Sequence, residues 1–147
     1  MNASIRRALA TLGLFLVAAP AFSHHSFAAE FDGTQPVTLR GTITKIEWAN
    51  PHGWIYVDVK GGDGKTVNWA VETAPPNALI RRGVRSSDFP VGTEITVNGY
   101  RAKNGAAKAN ASTLTLPGGR ELLAGSSGTG APGDRGDKAE TTEKPAR

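Results

Sequence analysis

Apolar and polar positions alternate with period two through the middle of this chain. Val37, Leu39 and Ile43 fall on one side of the alternation; the pattern then slips by one, and Ile46 and Trp48 continue the apolar side. Period two marks a half-buried strand. A phase slip with Gly41 close by predicts a bulge or sharp coil within one long strand. Asn50-Pro51-His52-Gly53 has turn chemistry. After it Ile55, Val57 and Val59 alternate with Trp54, Tyr56 and Asp58. Gly61-Gly62-Asp63-Gly64 reads as a hairpin connection, and Val67, Trp69 and Val71 carry the next strand.

The period then changes. Pro75-Pro76-Asn77 leads into Ala78-Leu79-Ile80-Arg81-Arg82 and ends at Gly83, with proline first and glycine last as in a short helix. Two more strands are predicted, over Glu94 to Tyr100 and roughly over Ala107 to Leu116, joined by a turn at Lys103-Asn104-Gly105. Three strands, a short helix and two strands is the element order of an all-β, five-stranded OB-like barrel. An open β-sandwich is the alternative.

The two ends of the chain differ from this middle. Arg6 and Arg7 precede an uncharged apolar run, Ala8 to Ala19, and then Pro20-Ala21-Phe22-Ser23. The run is shorter than the roughly 20 residues a spanning helix requires. Residues 1–23 therefore read as a secretory signal peptide, cut after Ala21 or after Ser23. From Ala124 to Arg147 no large apolar residue remains, and Gly, Ser, Pro and mixed charges predict a disordered tail. The folded domain is expected over residues 24–123. The expected location is periplasmic or secreted, with no membrane span after processing.

Composition narrows the chemistry. The chain has no cysteine, which excludes disulfides, thiolate nucleophiles and cysteine metal clusters. The formal charge of +4 includes Arg6 and Arg7 of the leader, so the mature excess is small and does not point to nucleic acid.

Four segments are distinctive together: His24-His25-Ser26-Phe27-Ala28-Ala29-Glu30-Phe31-Asp32, the stretch from Gly41 to His52, Asn68-Trp69-Ala70-Val71-Glu72, and Leu116 to Leu122. On these the chain resembles a family of short exported bacterial proteins of unknown function, over about residues 24–123. Members typically carry Asp-Gly-Arg near the end, where this chain has Gly118-Gly119-Arg120. The resemblance implies export and a shared fold, and no activity.

The three histidines, His24, His25 and His52, lie at turns or beside the cleavage site. Imidazole nitrogens suit copper, zinc and nickel. A mature chain starting at His24 offers its amine and ring nitrogen to one metal, with His25 or His52 as a further ligand. A start at Phe22 puts His24 third, where amine, two backbone nitrogens and the ring suit square-planar Cu(II). Copper is thus the expected cofactor, bound by a small non-enzymatic accessory protein. A copper-dependent oxidative enzyme using an amino-terminal histidine with His52 is a further reading. The metal-free alternative is an interaction domain that docks a peptide or glycan, or another periplasmic protein. Its ligand face would carry Trp54, Tyr56, Asn68, Glu72 and Tyr100, whose parity is opposite to the core. No spacing pairs Glu47 with Glu72 as acid and base, and both read as strand-surface residues. Nucleophile-elbow, phosphate-loop and His-x-x-x-His patterns are absent from the sequence.

Overall fold

The longest element, β1 (Phe31–Trp48), runs for 18 residues and serves two neighbours. Its first part pairs with β4 (Glu94–Ala102) and its second with β2 (Gly53–Lys60), both antiparallel. At Gly41 it touches both, opposite Val59 and Ile95. A Cβ on Gly41 would collide with the Asp58 carbonyl oxygen, so only glycine lets the two strands close up here. The register against β2 shifts between Ile43 and Lys45, which is the bulge implied by the phase slip from Ile43 to Ile46. This computed structural model describes residues 27–126 and 131–132.

β2 pairs with β3 (Thr66–Thr73) and β4 with β5 (Lys108–Thr115), again antiparallel. A short parallel pairing, Ala70 to Glu72 of β3 against Lys108 to Asn110 of β5, completes a ring of five strands, β1-β2-β3-β5-β4. The chain is all-β with little helix. A sixth strand, β6 (Glu121–Leu123), adds to β5 and lies beyond the five that period two predicts. The Gly118-Gly119 turn, with both glycines at positive φ, folds it back, and Leu122 is buried.

Between β3 and β4 the chain forms a six-residue helix, α2 (Pro76–Arg81), and a 3-10 turn at Ser86–Asp88. Leu79, Val84 and Phe89 from this stretch join Ile43, Ile55, Val57, Val71, Val97 and Leu114 in one buried cluster. A four-residue helix, α1 (Phe27–Glu30), precedes β1. Its Phe27 forms a second cluster with Phe31 and Ala102, against which Tyr100 and Ala131 pack.

Two features depart from parity alone. Val67 has core parity but is 43% exposed, because β5 pairs with β3 only from Ala70 onward and leaves the start of β3 uncovered. Glu72, expected on the strand surface, is buried, at 7% exposure. That side of β3 faces a cleft walled by residues from α1 and from the β4–β5 connection. The packed unit also runs past Leu123: Ala124 is 1% exposed, and its carbonyl accepts the Ala74 N–H at 2.7 Å.

Candidate functional site

His52 ends the β1–β2 connection, where the Asn50–Pro51 peptide is cis, and Trp54 follows two residues later on β2. The register of β2 against β3 sets Trp54 opposite Glu72, so both side chains lie on the outer face of the ring. That face is walled by Ala29 and Glu30 of α1, by Lys103 and Asn104 of the β4–β5 connection, and by Lys108 of β5. The result is a cleft of about 500 Å³.

Within it, His52 Nδ1 lies 3.1 Å from Glu72 Oε1, with 24% and 9% of the two side chains exposed. Burial strips water from the Glu72 carboxylate, and Glu30 adds repulsion that Lys108 only partly offsets, so its pKa is pushed up to about 7. Nδ1 faces Glu72 at ion-pair distance, which makes Nε2 the ring nitrogen turned away from that carboxyl.

The lysine side is equally organised. The Lys108 ammonium ion-pairs with Glu30 and lies 4.7 Å from the Trp54 ring centroid and 5.8 Å from that of Phe31. Lys103 Nζ donates to the Ala28 carbonyl at 2.5 Å, and its backbone N–H donates to that of Glu30 at 3.0 Å. Asn104 Oδ1 accepts the Ala106 N–H at 3.1 Å, which stiffens the connection.

Of the residues the sequence singles out, the cleft gathers His52, Trp54 and Glu72. Tyr56 sits on the same strand but bonds sideways, its hydroxyl donating to Glu47 Oε2 at 3.2 Å with the Lys45 ammonium 5.1 Å from its ring centroid. A hydrogen bond from Lys45 holds the Glu47 carboxyl below its usual range. Asn68 lies farther along β3 and donates to Asp58 Oδ1 at 2.8 Å and Thr44 Oγ1 at 3.0 Å. Tyr100 belongs to the second cluster, edge-on to Phe27 at 5.5 Å, with its hydroxyl donating to the Pro132 carbonyl at 3.3 Å. The five residues expected on one ligand face thus divide among four local environments. His24 and His25 lie outside the described residues. Sequence reasoning missed Glu30, Lys103, Asn104 and Lys108 as site residues. The turn signal at Lys103-Asn104-Gly105 located the loop of Lys103 and Asn104, but nothing in the sequence pairs that loop with His52.

Among the described residues, no group of three or more His, Asp or Glu is arranged to hold a metal by itself, and no helix is long and apolar enough to cross a membrane. No curated protein and no solved structure matches the chain. A family model described as a family of unknown function, DUF6152, matches residues 12–111, a span that contains every residue lining the cleft. The chain therefore belongs to this family of unknown function.

Proposed function

We propose that this is an exported, OB-like binding protein whose cleft takes Cu(II) through His52 Nε2 together with the histidines and amine of its mature amino terminus. The observation that carries the reading is the contact of His52 Nδ1 with the buried Glu72 carboxyl at 3.1 Å. A metal-binding histidine commonly turns its other ring nitrogen to a carboxylate, which orients the ring and raises its basicity. Chain length supplies the second support. His24 and His25 precede Phe27 by three and two positions, and Ala29 and Glu30 already line the cleft. Three residues of chain span at most about 10 Å, so both histidines enter the structure within that distance of Phe27.

The OB assignment rests on the strand order of the ring, with a helix between β3 and β4. OB barrels bind ligands on the outer face of strands two and three, between the connections that join strands one to two and four to five. His52 and Lys103-Asn104 come from those two connections. Export rests on the charged, apolar and small-residue zones of residues 1–23.

The test is calorimetric titration of processed protein with Cu(II), after mass spectrometry has fixed its first residue. His52→Ala and His24→Ala should each weaken binding by at least about tenfold, and Glu72→Gln should do so by about tenfold through loss of ring orientation. Equal affinity of native and His52→Ala protein would overturn the proposal.

A further inference from the structure

The cleft is too large for an ion alone. Its volume of about 500 Å³ falls in the range of small-molecule sites, about 300–1,000 Å³. A metal at His52 would leave most of that space to something else.

The charged groups indicate what that is. Lys108 is held between the Phe31 and Trp54 rings and tied to Glu30, so little side-chain freedom remains to be lost on binding. Lys103 is tied to a carbonyl, that of Ala28, and among the described residues no carboxylate lies in ion-pair contact with it. The acids of the cleft are otherwise engaged: Glu30 with Lys108 and Glu72 with His52. In the cleft, the positive charge without an ion-pair partner among the described residues is that of Lys103, which acts on Asp32 only at longer range; Lys108, paired with Glu30, adds N–H donors beside it. An ammonium has three donors, and each lysine has a described hydrogen bond through one of them.

We infer that the cleft binds a small organic anion, with its acid group, carboxylate or phosphate, between Lys103 and Lys108 and its body in the space beside Trp54 and His52. The anion site shares the cleft with the copper site but needs none of its ligands, so metal-free protein tests it alone.

The experiment is calorimetry on chelator-treated, dialysed protein with three probes: phenyl phosphate, citrate and inorganic phosphate. At least one organic probe should bind with a Kd below about 1 mM. Inorganic phosphate should bind at least about tenfold more weakly than phenyl phosphate, because it leaves the body of the cleft unused. Lys103→Ala and Lys103→Gln should weaken the organic probe by about tenfold, and Lys103→Arg should stay within about threefold of native. Lys103 is exposed, so these variants should melt with the native protein. The organic probes are titrated without metal and Cu(II) without probe, which separates failure of one site from failure of the other. The preferred acid group, carboxylate or phosphate, follows from whether citrate or phenyl phosphate binds more tightly. Absence of binding by both organic probes up to about 10 mM would overturn the inference. So would native-like binding by both neutral Lys103 variants, or equal affinity for inorganic and phenyl phosphate.

Discussion

Glu72 occupies an outward-facing position on β3 and is nevertheless buried, so its carboxyl is easier to protonate in the folded chain than in the unfolded one. Its ordinary pKa of 4.5 rises to about 7 on folding. Between those values the folded state holds more protons, and stability falls as pH rises; above about 7 both states are ionised and the slope ends. The metal-free protein should therefore lose up to about 3 kcal/mol between pH 4.5 and 7 through this group. Glu72→Gln cannot ionise and should flatten the profile. Urea unfolding of both proteins at pH 5 and pH 7.5 checks this, and parallel changes in the two would show that other groups set the slope. The same residue bears on legibility. Parity put Glu72 on the outer face but said nothing of what surrounds it, since Ala29, Glu30, Lys103 and Asn104 come from segments far away in the chain.

At the scale of elements, strand pairing depends on two glycines that admit a neighbouring backbone. Gly41 lets β1 approach the Asp58 carbonyl of β2, and Gly99 lets β4 approach the Asn110 carbonyl of β5 beside a register shift. A methyl group at either site has backbone in its way and no flexible side chain that can yield. Gly41→Ala and Gly99→Ala should each cost about 1–3 kcal/mol, read as a lower urea midpoint; neutrality at either site would show that the strands can separate locally. The sequence carried a mark of the first site, because the slip from Ile43 to Ile46 breaks the alternation next to Gly41. It carried little mark of β6: three residues cannot establish a period, and Leu116 to Arg120 looks like an ordinary turn. That turn becomes a hairpin because Leu116 N–H donates to the Arg120 carbonyl at 2.9 Å, bringing Leu122 onto the core.

At the scale of the whole molecule, the ring and its cleft depend on contacts that close the chain from both ends. Ala74 N–H meets the Ala124 carbonyl, and Arg82 Nη1 donates to that of Gly125 at 2.8 Å. A chain ending at Gly119 loses buried Leu122 and Ala124 and should fall by at least about 2 kcal/mol, or roughly 8–16 °C in Tm. A chain ending at Ser126 keeps these contacts and, among the described residues, loses those of Ala131 and Pro132 with the Phe27–Tyr100 cluster, so its Tm should drop by less than half as much. Thermal melts of the two truncations check the order, and equal Tm values would place the end of the packed unit before β6. What the sequence determined by itself was local. Side-chain alternation selects strands, proline and glycine end them, and the missing cysteines leave stability to packing. What the tertiary structure decided was which distant segments meet. The parallel pairing of Ala70–Glu72 with Lys108–Asn110 brings Lys108 beside Trp54 and closes the ring around one core. Such a pairing leaves no periodic mark in either strand, because it depends on the closure of all five strands together.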